Sequence, residues 1–283
     1  MSEPNPHPAE AENRHRRSSQ PLLAVEGLCK YFGGVRAADG VSFSVAAGQV
    51  MGLIGPNGAG KTTLFNMISG ALSPDSGVVR FDGEEVQDVP AHRRVALGIS
   101  RTFQNVELFH RMSVLENVLV GQHVQTRCGF WGAVVRSPKV RKEEVAARLR
   151  AMELLEFVGL SGQADSRSSD LPFGWQRLLE IARALASRPR ILLLDEPAAG
   201  LNPSETFALG GLIHRIRSSG VTVLMVEHDM SLTMEISDRI VVLDRGLKLA
   251  EGTPREIQMD AAVLEAYLGG GTPGKSHSPP ASG

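Results

Sequence analysis

Eight consecutive residues, Gly55-Pro56-Asn57-Gly58-Ala59-Gly60-Lys61-Thr62, follow the pattern G-x-x-x-x-G-K-[ST]. A stretch of this kind is suited to hold phosphate. Gly55, Gly58 and Gly60 let backbone N–H groups converge on phosphate oxygens with no Cβ in the way, and Pro56, Asn57 and Ala59 complete the cradle. A helix that starts here adds the partial positive charge of its N-terminus. Lys61 would bridge the β- and γ-phosphates of a nucleoside triphosphate, and Thr62 would give its hydroxyl to Mg²⁺.

Three acids and a histidine follow apolar runs further along. Ile191–Leu194 leads into Asp195–Glu196, and Val221–Val226 leads into Glu227–His228. Ligands of an open parallel sheet bind beyond the carboxyl ends of its strands. All three loops therefore share one rim if the three strands are neighbours. Asp195 then holds Mg²⁺, directly or through water. Glu196 orients or polarises an attacking water, and His228 contacts the γ-phosphate. A lone acid at a strand end is ordinarily a capping or solvated residue; the conjunction with Lys61 favours hydrolysis.

A further anion contact has two claimants, LSGQ at 160–163 and LPFGW at 171–175. The second is the better one. QRLLEIARAL places Leu178, Ile181, Ala182 and Leu185 on one face of a helix at about 176–187. Gly174 lies just before that helix, where its N–H can point at an anion. LSGQ closes a helix and runs into a polar loop.

The elements that must position these residues follow from periodicity. Val41, Phe43 and Val45 alternate with small or polar residues, as in a strand with one buried face. Val50–Ile54 is a continuous apolar run, the mark of a strand buried on both faces. In the helix that follows, Leu64, Met67 and Ile68 share a side and Gly70 offers a stop. Val78–Phe81 with Asp82–Gly83 reads as strand and turn. Residues 100–170 read as helical with no obvious strand. Ser113 and Glu116 form a capping box there, and Val145, Leu149 and Met152 recur at helical spacing. Residues 126–142, basic and carrying Phe130–Trp131, read as a loop, either solvated or in contact with a partner. The last third alternates again: a helix at about 204–218, the run Val221–Val226, and a hairpin turning at Asp244–Arg245–Gly246. Strand–helix alternation predicts an α/β core with a parallel sheet.

The chain has 283 residues, 42% hydrophobic and 22% charged, enough for a sizeable core. Its net charge of −1 implies no nucleic-acid partner. Cys29 and Cys128 lack metal spacing and read as reduced thiols. No apolar run approaches the roughly 18–20 residues of a membrane span, so a membrane role must come through a partner. Residues 1–20 lack the apolar core of a secretory signal and, like 270–283, read as disordered tails.

These motifs together resemble the ATP-binding subunits of ABC transporters, most closely those of branched-chain amino-acid importers. The strings that carry the resemblance are GPNGAGKTT (55–63), RTFQNVELFHRMSVLENVLVGQ, LLEIARALA, ILLLDEP (191–197), DEPAAGLNP, VEHDM and GTPREI…VLEAYLG. The resemblance implies a P-loop NTPase core with a mixed, largely parallel sheet, an antiparallel β subdomain and an inserted α-helical subdomain at about 100–185, all within 21–269. It implies ATP and Mg²⁺ as ligands. It adds Thr63 to the cradle and gives Gln104 a place at the metal and the reacting water. An aromatic residue stacks on adenine, Phe32 with Tyr31 as its competitor. LPFGW takes the signature position normally read L-S-G-G-Q, and Ala199–Asn202 the D-loop position. Two such subunits would pack head-to-tail, each phosphate cradle facing the partner's Gly174. Two permeases and, indirectly, an extracytoplasmic solute-binding protein would complete the assembly at the cytoplasmic face of the membrane.

The signature departs from the family. Pro172 stands where a serine hydroxyl would help hold the γ-phosphate, Phe173 where a glycine is usual and Trp175 where a glutamine is usual. One lost hydrogen bond to a charged group is worth roughly 1.5–3 kcal/mol, which predicts a weakened contact, not an absent one. The rival readings are a P-loop kinase, a DNA-repair ATPase, an exporter subunit and a nucleotide-gated interaction module. A kinase would not need Asp195, Glu196, a signature and His228 together. A repair ATPase would carry a long heptad stretch between Lys61 and Asp195, and none is present.

Overall fold

A computed structural model describes residues 20–102, 107–122, 138–228 and 230–268. The terminal stretches read as tails thus lie outside the described residues, except Gln20, as do Gln104 and residues 126–137 of the basic loop.

Two sheets organise the chain. The larger has the strand order β10-β9-β3-β8-β7-β6, built from β3 (Val50–Ile54), β6 (Ile99–Arg101), β7 (Ile191–Asp195), β8 (Thr222–Val226), β9 (Arg239–Asp244) and β10 (Leu247–Gly252). All of its pairings are parallel except β9 with β10, a hairpin turned at Arg245 and Gly246, both in left-handed conformation. The smaller is antiparallel, ordered β2-β1-β4-β5, from β1 (Leu23–Phe32), β2 (Val35–Val45), β4 (Ser76–Phe81) and β5 (Glu84–Glu85).

Burial explains why β7 is apolar from Ile191 to Leu194 and β8 from Val223 to Val226. Successive side chains of a strand point to opposite faces. Leu192, Leu194, Val223 and Met225 enter one core; Ile191, Leu193, Leu224 and Val226 enter the other. The first core is closed by α3 (Val114–Gly121), α4 (Pro138–Val158), α5 (Phe173–Ala186) and α6 (Pro203–Ser218). The second is closed by α1 (Lys61–Ser69) and the antiparallel sheet. A small third cluster joins Ile54, Ile240 and Val242 to Ile257 and Val263, on α8 (Pro254–Met259) and α9 (Ala261–Leu268). The short α2 (Ala91–Leu97) leads into β6, and α7 (Met230–Ile236) into β9.

Several expectations are corrected. Residues 99–101 are a strand that forms the edge of the main sheet, so the middle third is not wholly helical. Three residues are too few to show an alternation. Residues 138–142 are helix, not loop, because α4 begins at Pro138, a residue suited to a first helical turn. Val145 and Leu149 are each 60% exposed, whereas Ala151, Leu155 and Val158 are buried. The apolar spacing marked a helix correctly but not the face that it buries. Finally, α5 begins at Phe173, so Gly174 lies inside its first turn.

Arg94 fixes the end of α1. Its guanidinium donates to the carbonyls of Met67 (2.7 Å), Ile68 (2.6 Å), Val89 (2.7 Å) and Gln87 (2.9 Å). The first two belong to the last turn of a helix, whose carbonyls have no partner within the helix. Burial pushes the Arg94 guanidinium down to about 10, opposed by the charge of Asp88. Replacing Arg94 with Met should lower the unfolding free energy by about 2–3 kcal/mol; an unchanged urea midpoint would show that water replaces those bonds without loss.

Candidate active site

The parallel register sets the rim. Leu53 on β3 lies beside Val226 on β8, and Val226 beside Asp195 on β7. The loops that begin at Gly55, Glu196 and Glu227 therefore leave three adjacent strands at one level. Val35, Ala37, Asn57 to Thr63, Glu196 and His228 line one cleft of about 340 Å³. Of the larger clefts, those of about 450 and 640 Å³ lie elsewhere, and one of about 490 Å³ flanks the cradle on the side of Asp244, Arg245 and α9. Only this one joins the phosphate cradle to both Glu196 and His228 among the described residues, so chemistry, not size, selects it.

The cradle is held by close backbone approach. A Cβ on Gly60 would lie 2.0 Å from the Ala37 carbonyl oxygen, and one on Gly55 would lie 2.2 Å from that of Leu243. Gly58 and Gly60 have φ of 79° and 99°, a region costly for any residue with a Cβ. Gly60 is the N-cap of α1 and provides no side-chain cap, which leaves the first-turn N–H groups to an incoming anion.

Lys61 is 5% exposed, and its ammonium donates to the carbonyls of Gly55 (2.6 Å) and Pro56 (3.0 Å). Burial pulls its pKa down, and the nearby Glu196 charge opposes that shift. No carboxylate among the described residues lies within ion-pair distance of it. A buried cation held by neutral acceptors suits a polyanionic ligand. Thr62 is exposed in the same cleft.

Glu196 adopts φ 46°, unusual for a residue with a Cβ, and its N–H donates to the Val226 carbonyl at 2.9 Å. Its Oε1 lies 2.8 Å from His228 Nε2. Glu227 holds both loops: one of its oxygens accepts from Ala198 N–H (2.7 Å), the other from His228 N–H (3.0 Å). Asp195 does not line the cleft. It is 1% exposed, and its Oδ2 lies 2.6 Å from Arg101 Nη2.

The remaining expected residues lie apart. Phe32 is half exposed at the end of β1 and does not line the cleft, whereas Val35, just across that hairpin, does. Tyr31 donates its hydroxyl to Asp39. Gly174 is buried, and a Cβ there would lie 2.6 Å from Glu205 Oε1 at the start of α6. Pro172 is the N-cap of its helix, with no side-chain cap. Phe173 packs its ring on Gly200, where a Cβ would lie 2.9 Å from Cε1.

Arg101, Glu227 and Tyr267 fall within the strings that carry the resemblance but were assigned no role, yet each touches this region. Tyr267, on α9, places its hydroxyl at the Gly55 backbone, and burial pushes it up to about 12. Among the described residues no group of three or more His, Cys, Asp or Glu is arranged for a metal. A threonine hydroxyl and a carboxylate, as on Thr62 and Asp195, are the kinds of donor that Mg²⁺ takes, with phosphate oxygens and water for the rest.

Residues 38–199 match the family model described as ABC transporter, and residues 248–272 that described as branched-chain amino acid ATP-binding cassette transporter. The chain is 49% identical over 252 residues to the high-affinity branched-chain amino acid transport ATP-binding protein BraF of Pseudomonas aeruginosa, covering 89% of this chain and 99% of that protein. A solved ADP conformation of an ATP-binding cassette of an ABC transporter superposes with a TM-score of 0.77 at 32% identity, covering 89% of this chain and 100% of that one. A dimeric cassette in a post-hydrolysis state, bound to ADP and Pi, superposes with a TM-score of 0.70 at 26% identity, covering 83% and 99%.

The cradle geometry separates two glycines. Gly58→Ala should cost only the left-handed strain, roughly 1–2 kcal/mol. Gly60→Ala adds a clash with the Ala37 backbone and should lose more. Urea unfolding of both variants side by side tests this; equal losses would mean that the hairpin does not brace the loop.

Proposed function

Because this chain belongs to the ABC transporter family, we propose that it is the ATP-hydrolysing subunit of an importer for branched-chain amino acids or similar small solutes. The observation that carries this reading is the single cleft in which the phosphate cradle, Lys61, Glu196 and His228 meet. The substrate class rests on the likeness to BraF and on the match at residues 248–272.

In this reading Lys61 exchanges its two backbone carbonyls for phosphate oxygens, a stronger, charge-assisted pairing. Gly55 to Gly60 and Thr63 hold the phosphates, and Phe32 stacks on adenine. Thr62 and Asp195, joined by Gln104, would hold Mg²⁺. When bound, Mg²⁺ would supply positive charge to offset the charge that develops on the transferring phosphoryl group. Glu196 orients the attacking water, with its carboxylate held in place by His228. His228 contacts the γ-phosphate from the neighbouring loop. Phosphoryl transfer to water needs positioning and charge stabilisation more than covalent chemistry, and these residues supply both.

Gly174 lies outside the cleft of its own chain, which supports its serving the nucleotide of a second ATP-binding subunit. The region at about 100–185 would face the two permeases. A groove of about 640 Å³ there, lined by Arg101, Phe109, Val120 and Arg183 among others, would receive them. No helix among the described residues is long and apolar enough to cross a membrane. The solute path would belong to the permeases, with this chain peripheral on the cytoplasmic face and a solute-binding protein on the other side.

Two variants test the assignment in the purified complex. Glu196→Gln should bind ATP but hydrolyse it on the order of a hundredfold more slowly; turnover like the wild type would remove Glu196 from its role. Lys61→Ala should lose nucleotide affinity, and unchanged binding would count against the cradle.

A further inference from the structure

Arg101 ends β6, three residues before Gln104, and no motif assigns it a part in the reaction. Its guanidinium contacts two elements at once. Nη2 lies 2.6 Å from Asp195 Oδ2; Nη1 lies 2.6 Å from Asn66 Oδ1 and 2.9 Å from Ser69 Oγ. The guanidinium carbon sits 5.2 Å from the centre of the Phe65 ring. Phe65, Asn66 and Ser69 all belong to α1, the helix that begins with Lys61 and Thr62. The two side chains of the Arg101–Asp195 pair are 10% and 2% exposed.

Three physical points give this arrangement a purpose. A buried ion pair is a poor source of stability compared with apolar residues of the same volume. A planar guanidinium holds its acceptors at fixed angles, which an ammonium on a flexible stem does not. Finally, the clamp spans the two elements that supply the Mg²⁺ donors, β7 for Asp195 and α1 for Thr62.

We propose that Arg101 is a positioning residue for ATP hydrolysis: it locks the Asp195 carboxylate to α1 so that Asp195 and Thr62 present themselves to one Mg²⁺ ion. The inference rests on the hydrolytic reading above. It has a direct competitor in the same contacts, because an arginine that merely occupied Asp195 would keep Mg²⁺ away. The two differ in sign: loss of a positioning arginine weakens the Mg²⁺ response, and loss of an occluding one strengthens it.

The test uses the full chain and a fluorescent ATP analogue, titrated first in EDTA and then with increasing Mg²⁺. Arg101→Met keeps the stem over Phe65 and removes the fork. Arg101→Lys keeps the charge alone. Asn66→Ala loosens the α1 end of the clamp and leaves Arg101 in place. Affinity in EDTA should be unchanged in all three, because the cradle is intact. The Mg²⁺ concentration giving half of the Mg²⁺-dependent gain in affinity should rise roughly 10–100-fold in Arg101→Met, the range seen when groups that orient metal ligands are removed. Arg101→Lys should fall between that variant and the wild type, and Asn66→Ala should shift the same way by less. If Arg101→Met does not fold, the other two variants decide. Wild-type Mg²⁺ dependence in every folded variant overturns the proposal, as does a tighter Mg²⁺ response or an equal loss of affinity in EDTA. A wild-type chain whose analogue binding ignores Mg²⁺ would instead overturn the hydrolytic reading itself.

Discussion

The parallel pairing of β3, β8 and β7 is the constraint on which the site depends. Register brings Leu53, Val226 and Asp195 level across the three strands, and every chemically active loop starts there. A shift of one residue along β8 would turn Val223 and Met225 out of one core and into the other. Both cores are apolar, so the close fit of particular side chains in each holds the register, and the register places the loops. The cost of misplacing His228 relative to Lys61 is borne by the whole hydrophobic interior, not by the loops themselves.

On that frame the charges are arranged so that each has a neighbour with a task. Lys61 is buried among carbonyls, Asp195 is held by Arg101, and Glu196 is set beside His228. Glu227 ties the loop after β7 to the loop after β8 through two backbone N–H groups. The left-handed conformation of Glu196 fits the same picture, since strained backbone persists where surrounding contacts over-determine it. The loops after β7 and β8 are thus tied to each other by hydrogen bonds within the chain.

Much of this was legible in the sequence because it is local. The runs at Val50–Ile54 and Ile191–Leu194, the capping box of Ser113 and Glu116, and the turn at Asp244–Arg245–Gly246 each signal their structure within a few residues. The boxes of Asn202 with Glu205 and of Thr253 with Glu256, not singled out from the sequence above, have the same local spacing. What was not legible depends on residues far apart. Arg101 meets Asp195 across 94 positions, and Tyr267 meets Gly55 only because the third apolar cluster draws the C-terminal helices beneath β9. Val145 and Leu149 misled because helical spacing reveals a period, while the buried face is set by whatever the helix leans on.

The capping box at the head of α6 has a consequence for the altered signature. Glu205, while closing that box, sets a carboxylate oxygen directly against the Cα of Gly174. Pro172, Phe173 and Trp175 on either side are exposed. Three positions of the segment thus present side chains outward, with Phe173 lying over Gly200, while the fourth faces the carboxylate at the head of the next helix. A side chain at Gly174 would have to displace the Glu205 carboxylate, and with it the bond that closes the capping box, so this position of the signature is coupled to the start of α6.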